Sequence, residues 1–202
     1  MNVYVESNFL LELALEQEDR EHCSVILEHA RTGRVRLLVP AYALLEPYET
    51  LTRRVREWER LGREVQAEFG QLRRNAQLAA DVDALKELTV RAVKLARDSH
   101  EAARSLLLSA ATVLPISAET LQKAEALRVS LGMELPDAVM LASVLLDLDR
   151  AGGDSLFVNK NTKDFADPSV QTELRQRRCR YIGSFGAAVA AIRAAAARDA
   201  GT

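Results

Sequence analysis

The stretch over residues 135–165 constrains the fold of this chain more than any other. It opens with Leu-Pro-Asp, and a proline favours the first helical position while pushing the residue before it out of helical backbone space. A helix is therefore predicted to begin at Pro136, with Asp137 in its first turn. Residues 138–148 are almost entirely apolar, which predicts a buried helix, and residues 155–159 predict a short buried strand.

The first fifty residues alternate between strand and helix patterns. The predicted elements are a central strand over 2–6, a helix over 9–16 capped by Ser7, a helix over 19–32, a strand over 35–39, and a long helix that contains Glu46. This β-α-β-α order is typical of a parallel sheet with helices on its faces. The residues that follow such strands gather at one edge of the sheet, where open α/β folds place their sites.

Residues 51–111 have a different character, because their apolar positions follow a helical period and no strand pattern interrupts them. They predict two long helices packed as a hairpin and joined near residues 75–81. One side of the hairpin carries many arginines interleaved with glutamates; those that could contact phosphates are Arg53, Arg56, Arg60 and Arg63. This side is either a solvated face with i,i+4 ion pairs, a phosphate-gripping arm, or a dimer seam.

The rest of the chain predicts a connector over 112–116, a helix from Ser117 to Gly132, a helix over 168–178, a strand over 179–182 and a terminal helix over 185–197. The fold expected from these elements is a single three-layer α/β/α domain over residues 1–202 with a mainly parallel sheet of four or five strands. Its core comprises residues 1–50 and 112–202, and the hairpin is an insertion over about 51–111.

Composition narrows the functional classes. The net charge of −2 provides no overall basic field for nucleic acid, so any such binding needs a local patch. Two cysteines do not form a disulfide framework, and three histidines without zinc-ligand spacing argue against a zinc site. We expect no membrane segment, and the cytoplasm is the default location.

Four acidic residues follow a strand or lie in a helix next to one: Glu6, Glu46, Asp137 and Asp164. Each taken singly has a structural explanation, as a surface acid, a turn residue or a stabiliser of a helix start. Taken together they predict a carboxylate cluster. Such a cluster repels itself without a cation, and Mg²⁺ or Mn²⁺ relieves the repulsion because these hard ions prefer carboxylate oxygen. Ions of this kind activate water for phosphodiester cleavage.

Four segments resemble the PIN-domain nucleases, a family that includes toxin–antitoxin ribonucleases and larger RNA-processing enzymes. The segments are residues 3–10 (VYVESNFL), 38–46 (LVPAYALLE), 131–142 (LGMELPDAVMLA) and 157–165 (FVNKNTKDF). They are similar in order and context to the family's strand–Asp–Thr/Ser–Asn–aliphatic opening, its strand, proline and helix with an embedded glutamate, its Asp-Ala-x-x-x-Ala helix, and its strand followed by Thr-x-Asp or Thr-x-Asn-x-x-Asp-Phe.

The resemblance implies that Glu6, Glu46 and Asp137 are metal-site acids. Asp164 would be the fourth, or Asn161 would occupy that place with Asp164 nearby. Ser7 and Asn159 would orient the site or the attacking water by hydrogen bonds.

Three departures from the family pattern are visible in the sequence. Glu6 stands where aspartate is usual, Asn159 stands where threonine is usual, and Asn161 is uncharged where many members carry an acid. Glu6 moves the first carboxylate by one methylene, about 1.5 Å.

The leading hypothesis is a Mg²⁺- or Mn²⁺-dependent endonuclease, a hydrolase that cleaves RNA by metal-activated water. The alternative is a catalytically inactive PIN-like module that binds RNA or assembles through its hairpin. Another phosphate-handling α/β enzyme is a third hypothesis, although the sequence has no Gly-x-x-x-x-Gly-Lys-Ser/Thr loop. Expected partners are RNA and either an antitoxin or a second copy of the chain.

Overall fold

The computed structural model describes residues 1–75 and 77–199, and these form one sheet of five parallel strands in the order β3-β2-β1-β4-β5. The strands are β1 (Asn2–Val5), β2 (Arg36–Pro40), β3 (Ala111–Leu114), β4 (Ser155–Val158) and β5 (Cys179–Ile182). The predicted α/β class, the parallel sheet and the central place of the first strand are therefore confirmed. The predicted core range ends in residues 200–202, which lie outside the described residues.

Helices connect the strands. They are α1 (Ser7–Ala14), α2 (Arg20–Arg31), α3 (Ala41–Phe69), α4 (Ala79–Ala110), α5 (Ala118–Leu131), α6 (Leu135–Ala151), α7 (Thr162–Phe165), α8 (Pro168–Gln176) and α9 (Phe185–Asp199), with a 3₁₀ turn at Leu72–Arg74. The buried helix predicted from Pro136 is α6. The joint of the hairpin, predicted near residues 75–81, includes Ala76, which lies outside the described residues.

The central strand β1 is buried on both faces. The Tyr4 hydroxyl donates a hydrogen bond of 2.7 Å to Asp147 on α6, so this side chain points towards that helix. Val3 and Val5 point to the opposite face by strand alternation and are fully buried there. Helices α2 and α9 contact each other and the sheet. The arrangement is compatible with the predicted three-layer order.

The prediction that residues 112–116 form a connector is wrong, because β3 occupies most of them and pairs with β2 at the edge of the sheet. Only Leu114 of this strand is buried. An edge strand with one buried side chain lacks the apolar run that marks a central strand, and the sequence pattern therefore did not reveal it.

The hairpin is continuous with the core. Helix α3 runs from Ala41 to Phe69 without a break at the predicted start of the insertion. Its packing against α4 forms a small apolar cluster separate from the main core, made of Leu51, Val55, Val93 and Ala96 with Trp58 against it. Gly62 lies where the helices approach closely, since a Cβ there would come within 2.8 Å of the Thr89 methyl group.

The predicted caps of the later helices are largely confirmed. Ser117 caps α5 in a reciprocal pair with Thr120, and Gly132 ends that helix with a left-handed φ of 67°. Asp167 accepts a hydrogen bond from the Ser169 amide at the start of α8. Over residues 1–75 and 77–199, no single helix has the length and apolar character to cross a membrane, although α5 and α6 meet both criteria jointly across a 117° bend.

Because the hairpin has its own small cluster, it should open locally without unfolding the sheet. We expect Val55→Ala to remove two buried methyl groups and destabilise this cluster by about 1.5–2.5 kcal/mol. Hydrogen exchange of amides in the adjoining turns of α3 and α4 should then accelerate roughly tenfold or more, while β1 and β4 stay protected.

Val90→Ala is the matched control, because Val90 lies on α4 with its side chain exposed. Equal acceleration in β1 and in the hairpin would contradict the independence of the two clusters.

Candidate carboxylate site

Three of the predicted acids meet in one cavity. Glu6, Glu46 and Asp137 line a hollow of about 290 Å³ whose remaining wall is formed by Ser7, Asn8, Leu11, Thr50, Lys160 and Asn161. Glu6 directly follows β1, and the segment that contains Asn161 follows β4, the strand paired with β1. The carboxyl ends of parallel strands share one edge of a sheet, which explains why these distant parts of the sequence converge.

Glu6 is the N-cap of α1. Its backbone is extended, and its Oε1 accepts hydrogen bonds from the Asn8 amide at 3.3 Å and from the Asn8 side chain. Helix α1 begins at Ser7, so the predictions that Ser7 is the cap and that this helix begins at residue 9 are wrong. Glu6 is a buried residue, with 6% of its surface exposed to solvent. Burial raises the pKa of the Glu6 carboxyl to about 7, with a further contribution from the charge of Glu46 and opposition from the Asn8 hydrogen bonds.

Glu46 lies in the second turn of α3, and Thr50 follows it one turn later on the same side of the helix. Ser7 donates a hydrogen bond from its Oγ to Glu46 Oε2. This hydrogen bond links α1 to the carboxylate on α3.

Asp137 lies in the first turn of α6, as predicted. Burial, together with the negative charges of Asp164 and Glu46, raises the pKa of the Asp137 carboxyl to about 6. Asn161 opposes these effects by donating a hydrogen bond of 3.3 Å to Asp137 Oδ1. The raised pKa values of Glu6 and Asp137 are the electrostatic signature of carboxylates that are crowded together and partly removed from water.

Asp164 lies on α7 beside Asp137 but is not part of the cavity wall. The side-chain Nδ2 of Asn161 donates to Asp164 Oδ2 at 2.9 Å as well as to Asp137 Oδ1, so Asn161 bridges the two acids. The resemblance leaves open whether Asp164 or Asn161 occupies the fourth position of the metal site. Asn161 lines the cavity, and Asp164 contacts Asn161 from outside the cavity wall.

Asn159 is fully buried at the end of β4. Its Oδ1 accepts a 2.7 Å hydrogen bond from the Asn161 amide, which holds the turn that presents Asn161, and its backbone carbonyl accepts from the Tyr181 hydroxyl at 2.8 Å. Among the described residues its side-chain nitrogen has no hydrogen-bond partner. Asn159 thus supports the site through Asn161.

Lys160 and Glu12 form an ion pair beside the cavity. The sequence predicts Glu12 to be a surface acid or cap, and this prediction is wrong, because its side chain is 5% exposed and accepts a hydrogen bond of 2.8 Å from Lys160 Nζ. Lys160 also binds Asp19 at 2.9 Å, and these bonds raise the pKa of the Lys160 ammonium. The signal that Glu12 is buried lay in its spacing, three residues after the buried Phe9.

The arginines predicted to contact nucleic acid lie apart from the cavity. They line an open cleft of about 810 Å³ along α3, and the residues concerned are Arg53, Arg56, Arg60 and Arg63. Arg60 binds Glu57 and Glu64 on its own helix, as expected of a solvated face with local ion pairs. The structure therefore does not bring these arginines together with the acids.

The carboxylate oxygens of Glu6, Glu46 and Asp137 are ligands of the type that a hard divalent cation prefers. The hydrogen bonds described above occupy one oxygen of each carboxylate, and the second oxygen of Glu6, Glu46 and Asp137 lies outside them. A cation among these oxygens would relieve the repulsion that raises the two pKa values. Within the described part of the chain, however, no three His, Cys, Asp or Glu side chains are arranged so that they could hold a metal ion without moving.

Comparisons with known proteins leave the family open. No protein-family model and no curated protein matches the chain. Among solved structures, a toxin–antitoxin complex from Klebsiella pneumoniae is similar to it, with 18% sequence identity, coverage of 82% of this chain and 92% of that chain, and a TM-score of 0.36. A likeness at this level carries no argument about function.

The buried Glu6 carboxyl predicts an unusual dependence of stability on pH. Its pKa is about 7 in the folded chain against 4.5 for an unperturbed glutamate, so the folded state retains a proton that the unfolded state loses first. The free energy of unfolding should therefore decrease as the pH rises from 4.5 to 7, and this group alone should account for on the order of 3 kcal/mol of the decrease. Glu6→Gln should remove this dependence and be more stable than the parent at pH 8 in EDTA, as measured by urea unfolding.

Glu134→Gln is the control, since Glu134 is an exposed acid three residues before Asp137 and should leave the pH profile close to that of the parent. A Glu6→Gln variant that loses stability at pH 8 would contradict the assigned pKa.

Lys160 should stabilise the chain by neutralising Glu12. We expect Lys160→Met to lower the free energy of unfolding by about 2 kcal/mol, because it removes the cation that neutralises the buried Glu12 carboxylate and leaves this group with the Asp19 backbone amide as its partner. Lys160 is partly exposed, and water moderates the cost. Adding Glu12→Gln to this variant should recover part of the loss in urea unfolding at pH 7. No recovery in the double variant would show that Lys160 acts in some other way.

Proposed function

We propose that this chain is a divalent-metal-dependent endoribonuclease with a PIN-like domain, using Mg²⁺ or Mn²⁺ to hydrolyse phosphodiester bonds in RNA. The observation that carries the proposal is the convergence of Glu6, Glu46 and Asp137 on one cavity. The sequence resemblance implies a metal site at these three positions, from segments that lie between residues 3 and 142 of the chain.

In this proposal the acids of the cavity bind the metal ion, and the neighbouring polar residues orient the acids. Glu6, Glu46 and Asp137 would hold the ion through the oxygens that their hydrogen bonds leave unused. Ser7 and Asn161 fix the orientations of Glu46 and Asp137 by the bonds they donate. When bound, an ion of this kind lowers the pKa of a water ligand and stabilises the developing negative charge on phosphate oxygens.

Lys160 places a positively charged ammonium group in the wall of the cavity. It lines the wall beside the acids while its ammonium pairs with Glu12 and Asp19. A phosphodiester that enters the cavity brings negative charge towards three carboxylates, and Lys160 is placed to offset part of that repulsion. Its pairing with two acids keeps it protonated throughout the neutral range.

The proposal is tested with purified protein in Mn²⁺ on single-stranded and structured RNA. Cleavage by the parent should fall at least 100-fold in Asp137→Asn, since this change removes a charge from the cavity and keeps the shape of the side chain. At a Mn²⁺ concentration of about 100 times Kd, the melting temperature of the parent should rise by roughly 5–10 °C, and Asp137→Asn should lose most of that rise.

Glu134→Gln should keep both cleavage and the thermal shift. If the parent and Asp137→Asn are equally inactive on every RNA, the proposal that the chain is a nuclease fails. If Mn²⁺ raises the melting temperature of the parent without any cleavage, only the proposal of a metal site stands.

A second candidate is a non-catalytic PIN-like module that assembles through its hairpin. The observation in its favour is the exposure of large apolar side chains on α4, namely Leu85, Leu88, Val90 and Leu95. Exposed apolar groups of this size on one helix are typical of a contact surface. A second copy of the chain or an antitoxin would be the partner in this proposal, and the oligomeric state in solution would distinguish them.

A further inference from the structure

A second cleft of about 610 Å³ lies between α3 and α4, and its wall is rich in guanidinium groups. Arg56, Arg97 and Arg104 line it together with His100, and the carboxylates in the wall are Glu59 and Glu101. Glu59 is already paired with Arg97 at 3.4 Å. Arg56 and Arg104 make no hydrogen bond or ion pair with any described residue, so the cleft holds unused positive charge.

His100 is the unusual member of this wall. It is 5% exposed, and its Nε2 has no hydrogen-bond partner among the described residues. Burial lowers the pKa of the His100 imidazole, and the nearby Arg104 charge lowers it further. A buried polar nitrogen without a partner is costly to a folded chain, and a functional role is one of the explanations for such a group in a native structure.

The cleft is separate from the carboxylate cavity. A helix turns about 100° per residue, so Glu46 and Thr50 share one side of α3, whereas Tyr48 and Val55 lie roughly 180–200° away from Glu46. The first pair lines the carboxylate cavity and the second pair lines this cleft. A ligand in the cleft therefore does not depend on the proposed nuclease site.

We infer that this cleft is a phosphate-binding site in which Arg56, Arg97 and Arg104 hold the phosphate oxygens and His100 supplies a further donor. Guanidinium groups match phosphate oxygens because they donate paired, charge-assisted hydrogen bonds. Nε2 is covered from solvent in the free protein, so the ligand must displace a neighbouring group. Tyr48, 63% exposed with its ring centroid 6.2 Å from that of His100, is the side chain placed to move.

The phosphate could belong to a small molecule or to an RNA backbone. The chain has only three histidines, so the ring signals of His22, His29 and His100 can be followed separately by ¹H–¹³C NMR. We would titrate the full chain in EDTA with inorganic phosphate, with adenosine monophosphate and with a single-stranded RNA decamer, each against a matched concentration of NaCl.

The expected result is a shift of the His100 signals and a rise of its pKa by at least one unit, with His22 and His29 unchanged. Arg104→Ala and Arg56→Ala should each weaken the response at least tenfold, and Arg104→Lys should restore part of it. Arg54→Ala is the matched control, since Arg54 is an exposed arginine of α3 outside the cleft wall.

The three ligands distinguish the source of the phosphate. Binding of the decamer at least 100-fold tighter than the two small ligands would identify an RNA backbone, and comparable affinities would identify a small phosphate compound. No response of His100 to any of the three, or equal weakening by Arg54→Ala, would overturn the inference. Asp137→Asn should bind as the parent does, so failure of the nuclease proposal leaves this result unaffected.

Discussion

The burial of negative charge at the end of the central strand is the constraint on which the rest of the site depends. Glu6 follows β1, which has a strand on each side and helices over both faces, so its carboxylate has little access to water. A charge in this position is costly unless it is protonated, hydrogen-bonded or paired with a cation. Asn8 supplies hydrogen bonds, yet the pKa remains near 7, and the neighbouring Glu46 and Asp137 add charge of the same sign. A chain stabilised only by packing would gain from neutral residues here.

The strand order explains how local sequence signals become a site. Strand β4 pairs with β1 in register, Tyr4 opposite Phe157 and Val5 opposite Val158, so the residues that follow the two strands must emerge side by side. The proline at the start of α6 fixes where this helix begins, and Asp137 in its first turn lies at the same edge of the sheet. These relations were predictable because each depends on a few neighbouring residues and on one general property of parallel sheets.

Other features depend on contacts that no local pattern specifies. The spacing after Phe9 places Glu12 towards the core, but its partner Lys160 lies 148 positions later in the chain, and no local pattern pairs the two. The strand β3 is recognisable only through its pairing with β2. The cleft that contains His100 likewise requires α3 and α4 to meet, and the sequence predicted the two helices without their relative rotation. Short-range chemistry was thus accessible from the sequence, whereas the partners of charged side chains on different elements were not. The carboxylate cavity was an intermediate case, since its edge of the sheet was predictable and its hydrogen bonds were not.

Glu6 occupies a position where the family that the sequence resembles usually has aspartate, and its contacts explain how the longer side chain fits there. An aspartate is the more usual N-cap, because its short side chain reaches the amide two residues later with little freedom to lose. Glu6 makes the same bond to the Asn8 amide with a longer side chain, and Asn8 adds a second bond from its own amide group. Both bonds fall on Oε1, so capping the helix and offering an oxygen to the cavity involve different atoms of one carboxylate. The extra methylene is therefore compatible with a metal-binding role, provided that Asn8 continues to fix the orientation of the group. Asn8 is in this sense part of the site, although it carries no charge.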